Sequence, residues 1–161
     1  MFLDLYNINI LRCGDEGTYL MNSDYIVGLT DGEGCFYVLL TERNHKKNPK
    51  AHIMAKSHFY IKLREDDLSL LEKVKDYLGF GKIYFQKEKR ANHSPCYRFE
   101  VNSNEDKVKL VAFFKKHPLQ SPKKQRDFEI FSKVSTMIAN RDHFTQKGED
   151  EIRKLKSLMH R

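Results

Sequence analysis

Cysteine is scarce in this sequence, with Cys13, Cys35 and Cys96 the only three in 161 residues. Three thiols cannot all pair, and no two sit at metal-ligand spacing. Neither a disulfide scaffold nor a zinc site is expected, and reduced thiols in an intracellular protein are the natural reading. Long apolar runs are also missing, which excludes a membrane span. The opening MFLDLYNINILRCGDEG carries Asp4 and no basic segment, so it makes a poor signal peptide. No internal repeat occurs, since GLTDGEG appears once.

Acid is missing where base is plentiful. From Arg43 to Arg64 there are seven Lys or Arg and no Asp or Glu. From Lys82 to Arg98 there are five against Glu88 alone, and from Lys115 to Arg126 five against none. The chain's net charge is +7, so with +16 in these windows the remainder must carry −9. Such segregation builds a polarised surface, of the kind that meets a polyanion. At 161 residues with 40% hydrophobic content, the chain is long enough for one domain with its own core.

Periodicity then orders the elements. Asn22-Ser23-Asp24 starts a helix, with Ser23 able to cap, and Gly34 stops it. Cys35–Thr41 is a strand, rich in β-branched and aromatic residues. His52–Leu63 alternates Phe59, Ile61 and Leu63 against His58, Tyr60 and Lys62, the period of a strand with one solvated face. Asp66–Leu78 is amphipathic at helical spacing and ends at Gly79. Gly81–Lys87 and Cys96–Val101 are two more strands. Helices follow after Ser103 or Asn104, after Ser121-Pro122 and after Thr145. The fold class is α+β, in the order αββαββα with additional C-terminal helices and a curved antiparallel sheet. Residues 1–22 form an N-terminal extension to a domain spanning 23–161.

In the first helix Gly28 and Gly32 lie one turn apart on one face. A mid-helix glycine costs about 1 kcal/mol against alanine, so two together call for close approach of another backbone. Packing within the chain's own core and packing on a second copy both satisfy that demand.

Ile26 to Gly34 (IVGLTDGEG) resembles the motif that names the LAGLIDADG homing endonucleases. Gly28, Leu29, Asp31 and Gly34 are identical, while Gly32 and Glu33 stand for the motif's second alanine and second aspartate. The segments EDDLSLLEKVKDYLGFG, AFFKKHPLQSPKKQRDF and HFTQKGEDEIRKLKSLM are similar to later family segments, so the likeness runs from Ser23 to the end. It implies a homodimer in which Ile26, Gly28, Leu29 and Gly32 meet their counterparts, bringing two Glu33 side chains to the scissile phosphates. Glu33, with the Gly32 carbonyl, would hold Mg²⁺, with Mn²⁺ able to substitute. Lys123-Lys124 resembles the active-site lysine segment, Lys124 having the better spacing to Asp127. Where the family often carries a water-ordering glutamine stands Leu63, with Arg64 beside it as the candidate substitute.

The implied activity is a site-specific double-strand break in a long, pseudo-palindromic DNA target, as in intron homing. A non-cleaving RNA maturase and a DNA-binding regulator are the alternatives on the same fold. Strand phase assigns the reading face. Tyr37, Leu39, Thr41 and Arg43 point outward from the first strand, and Lys56, His58, Tyr60 and Lys62 from the second. The third offers Lys82, Tyr84 and Gln86, and the fourth Arg98 and Glu100. Lys46, Lys47 and Lys87 join from the loops.

Overall fold

The computed structural model describes residues 21–41, 53–87 and 94–160. The elements run α1 (Ser23–Glu33), β1 (Gly34–Thr41), β2 (Met54–Arg64), α2 (Leu68–Leu78), β3 (Lys82–Gln86), β4 (Cys96–Val101), α3 (Asn104–Lys116), α4 (Pro122–Ala139) and α5 (Gln146–Ser157). That is the expected α+β order with two further helices. The four strands form one antiparallel sheet in the order β1-β2-β4-β3.

Local chemistry sets the ends. Asn22, not Ser23, caps α1, its side chain accepting from the Tyr25 amide at 2.8 Å. Ser103, Ser121 and Thr145 cap α3, α4 and α5 through the same kind of bond. Gly79 closes α2 in the left-handed region at φ 73°. Gly34 does not close α1 in this way. At φ −71°, ψ 147° it is extended and opens β1 directly. A Cβ there would lie 2.6 Å from Thr30 Cγ2 and 2.7 Å from its carbonyl oxygen, so only glycine lets the strand leave the helix so tightly.

The helices cover one face of the sheet. Phe36 and Phe59 from β1 and β2 meet Phe114 of α3 and Phe128 and Phe131 of α4, with Phe36 centroid distances between 4.9 and 5.7 Å. Rings at such separations and tilts gain edge and offset attraction beyond their buried area. Ile26, Val27, Ile61, Leu71, Val74, Phe99, Val101 and Leu110 complete this core, with Ile152 of α5 joining it. Among the described residues the other sheet face carries no helix. Among the described residues no helix is long and apolar enough to cross a membrane. Residues 1–20 of the expected extension lie outside the described residues, whereas Met21 packs on the core and Asn22 caps its first helix.

Candidate active site and nucleic-acid face

Helix α1 has two unlike sides. Ile26, Val27 and Thr30 are buried. Tyr25, Gly28 and Gly32 are exposed and Leu29 is half-buried, and these four fall at i, i+3, i+4 and i+7, a single helical face. Among the described residues nothing lies within 4 Å of where a Cβ would stand on Gly28 or Gly32. The chain's own core therefore does not claim the glycines. Ile26 is a correction to the expected interface set: at 1% exposure it belongs to the core, and Tyr25, 47% exposed, takes its place on the open face. The i, i+3, i+4, i+7 spacing was the signal that would have found Tyr25.

At the end of α1, Glu33 is exposed, and its carboxylate makes no hydrogen bond or ion pair among the described residues. The last-turn carbonyls of a helix have no intrahelical partners, and the helix end carries partial negative charge. Thr30 accepts from Gly34, and no basic residue lies in this turn of α1. The base comes from α4, where the Lys124 ammonium donates to the Gly34 carbonyl. Lys124 is aimed there by its place in the first turn of α4, where Ser121 accepts from its amide at 3.4 Å. Lys123 is exposed and its ammonium makes no hydrogen bond or ion pair among the described residues. Of the lysine pair, the geometry brings Lys124 to the end of α1.

The alignment of these two elements rests on Asp31, a motif residue to which the sequence reading gave no role. Its Oδ2 accepts from the Gln120 amide at 2.9 Å, tying α1 to the loop that precedes α4. Gln125 braces the same loop by accepting from the Leu119 amide at 3.1 Å.

Gly34 pairs with Ile61, so β2 runs on past the start of β1, and Leu63 and Arg64 lie at this end of the sheet. Leu63 packs against the core and has nothing with which to order water. Arg64 is exposed and pairs with Asp66 at 3.4 Å rather than with Glu33. Among the described residues no three His, Cys, Asp or Glu side chains gather as a metal site. One copy offers a single unpaired carboxylate and helix-end carbonyls. Mg²⁺ takes few protein carboxylates and keeps water and phosphate oxygens, so this donor set fits one ligand group of such an ion.

On the helix-free face the expected phase holds throughout. Tyr37, Leu39 and Thr41 share it with Lys56, His58, Tyr60, Lys62, Lys82, Tyr84, Gln86, Arg98 and Glu100. Lys87 is exposed just beyond β3. Arg43, Lys46 and Lys47 lie outside the described residues. Glu100 is the one acid on these outward strand positions. It pairs with Arg98 at 2.9 Å, and the Arg98 guanidinium stacks 4.1 Å from the Tyr60 ring centroid. A hydrogen bond with Cys35, its register partner, and partial burial push the Tyr60 phenol up to about 12, so it stays neutral. Asn102, the next residue in phase after Glu100, completes the row. It was missed because it lies one residue beyond the strand.

The third basic window does not lie on the sheet. Lys115 and Lys116 occupy the last turn of α3 and complement its dipole, while Lys123, Lys124 and Arg126 belong to α4.

This geometry has counterparts. The LAGLIDADG endonuclease family matches residues 26–135. Probable intron-encoded endonuclease 3 of Neurospora crassa is 32% identical over 133 residues, 82% of this chain and 23% of that protein. The chain spans about a quarter to a third of the length of the curated relatives it matches. The crystal structure of I-TnaI, a homing endonuclease, superposes at TM-score 0.72 with 28% identity, over 88% of this chain and 89% of that one. I-SmaMI bound to an uncleaved DNA target in the presence of calcium ions superposes at TM-score 0.70 with 29% identity, over 84% of this chain and 44% of that one.

Proposed function

The chain belongs to the LAGLIDADG endonuclease family, and from that membership we propose that it is a site-specific DNA endonuclease that makes a metal-dependent double-strand break in a long, pseudo-palindromic target, as in intron homing. The observation that carries the reading is the meeting of the Glu33 helix end with the Lys124 ammonium beside an open glycine face. Two such ends, brought together by helices packing on Gly28 and Gly32, give one carboxylate and one lysine per strand to be cut.

The roles follow from the chemistry of the groups. Glu33, with the Gly32 carbonyl, is the metal-holding set. Mg²⁺ there, for which Mn²⁺ could substitute, would supply positive charge to the phosphate and acidify a bound water. Lys124 contributes a fixed cation toward the charge that develops on phosphorus oxygens, and Asp31 holds α1 and the α4 approach in register for it. The basic sheet face grips phosphates and presents side chains to the major groove, which admits a β-ribbon. The protein acts in whichever compartment holds that DNA.

The partner helix is that of a second copy. Support comes from the near-complete match to the I-TnaI chain. The match to under half of the I-SmaMI chain favours the second arrangement, in which a like half on the same polypeptide supplies that helix. Sedimentation separates the two, a dimer being expected. Gly28→Leu should drive the helices apart and leave monomers, and a Gly28→Leu chain that remains dimeric would remove the glycine face from the assembly.

The test of the activity is Glu33→Gln, nearly isosteric and uncharged. Cleavage in Mg²⁺ should fall by orders of magnitude while DNA affinity holds or rises, because an anion facing phosphate is gone. Glu33→Asp should keep measurable activity. Near wild-type cleavage by Glu33→Gln would overturn the assignment in favour of a metal site elsewhere.

A further inference from the structure

The sheet face contains a hydrogen-bonded chain whose polarity is fixed at one end. Arg98 holds Glu100 through Oε1 at 2.9 Å, so Glu100 stands as a carboxylate and can only accept. Its Oε2 is met by Asn102 Nδ2 at 2.8 Å. With its amide nitrogen turned to Glu100, Asn102 presents Oδ1 to the other side, 2.6 Å from His58 Nδ1. A carbonyl oxygen cannot donate, so the proton in that bond belongs to His58 Nδ1. In the neutral ring Nε2 is then bare, a lone pair with no partner among the described residues. Each assignment follows from the one before, and the first rests on a guanidinium that cannot lose its proton in a protein.

We propose that Asn102 is a positioning residue that fixes the His58 tautomer, and that His58 thereby selects a base offering a donor in the major groove. This rests on the DNA-binding reading above. In the major groove adenine offers its N6 amine and cytosine its N4 amine, whereas guanine and the thymine oxygen only accept. A bare Nε2 therefore favours adenine or cytosine at one position in each half-site and leaves guanine or thymine facing a lone pair. Phase alone, which identified His58 as outward, would equally have allowed the opposite tautomer and the opposite preference. The row also limits Arg98, whose guanidinium is engaged by Glu100 and seated on Tyr60. Among the described residues His58 is the member of this hydrogen-bonded chain with an unoccupied edge.

The experiment uses the full chain and a duplex library randomised across the target, read by binding selection and sequencing. His58→Ala locates the position, as the base pair whose preference it erases. At that position wild type should favour A or C over G or T by roughly tenfold, the size of one hydrogen bond gained against one lone pair left facing another. Asn102→Ala should flatten that preference. Asn102→Lys places a donor against Nδ1 and a cation against Glu100, which moves the ring proton to Nε2 and should turn the preference toward G or T. A merely structural role for Asn102 cannot produce that inversion. Wild type that binds DNA with an unchanged base profile in both Asn102 variants would overturn this inference alone. Wild type that binds no duplex would overturn the function beneath it, and the inference with it.

Discussion

On one face of the sheet stand Phe36, Val38, Ala55, Phe59, Ile61, Phe99 and Val101, all at 6% exposure or less. One residue along the same strands, on the other face, stand Tyr37, Leu39, Lys56, His58, Tyr60, Lys62, Arg98 and Glu100. The first set is held by close packing against α3 and α4 and tolerates little change of volume. The second is held by a few directed contacts: Arg98 to Glu100, Glu100 to Asn102, Asn102 to His58. Adjacent residues thus answer to different physics, and the inner face should carry stability while the outer carries recognition. The division weakens at the β3 edge. Phe85 has inner-face phase but is 54% exposed, with only Tyr97 stacked on it at 5.2 Å.

The sharpest way to break this comparison is to truncate two neighbours. Phe59→Ala removes a ring packed against Phe36 and Phe114 and should cost about 3–5 kcal/mol, enough to unfold much of the population. Tyr60→Ala should cost no more than about 1 kcal/mol but remove the platform beneath Arg98, so base preference suffers in a folded protein. Urea unfolding followed by DNA titration reads both. Equal losses of stability would show that the two faces are not separate.

This division was legible beforehand because a strand's period is two, and one buried residue fixes the phase of all the others. What phase could not give is who holds whom. His58 and Asn102 are 44 positions apart and meet only because β2 pairs with β4. At the end of α1 local chemistry places the groups. Glu33 stands exposed, and Lys124 rather than Lys123 reaches the Gly34 carbonyl beside it because Ser121 sets the start of α4. The open face of the same helix was misread at Ile26, since the motif was followed letter by letter where the helical period places Tyr25 instead. Gly34 stops α1 as expected, but not in the left-handed conformation in which glycine so often ends a helix. Here crowding by Thr30, not backbone handedness, demands it.

A smaller effect sharpens the outer half of the comparison. Binding should weaken steeply with salt, with log K against log[salt] falling at a slope of roughly −5 to −10, because lysines and arginines must displace the cations condensed on the phosphates. Lys56→Ala or Lys62→Ala, each removing one phosphate contact from both subunits, should make the slope shallower by about 2, weaken binding evenly across sequences and leave the urea midpoint where it was. A change in base preference without a change in slope would make these lysines readers of bases rather than holders of phosphate.

The smallest expected effect lies at the inner face's own exception. Ser57 has inner phase and 1% exposure, yet it is polar. Its hydroxyl oxygen accepts from the Ser135 hydroxyl of α4 at 2.9 Å, so the helix is tied to the sheet at one point by a directed bond rather than by packing. Net of the water each group gives up, such a bond contributes about 1 kcal/mol. Ser57→Ala should lower stability by about that much and no more, because Ser135 is only half-buried and lines the opening between α3 and α4, where water can replace its partner. Lys56 and His58, on either side of Ser57, face the other way, so DNA affinity, salt slope and base preference should all stay fixed. If Ser57→Ala left the urea midpoint unchanged but altered base preference, the α4 contact would be setting the pitch of β2 beneath His58. The two faces would then be coupled through the strand that carries both.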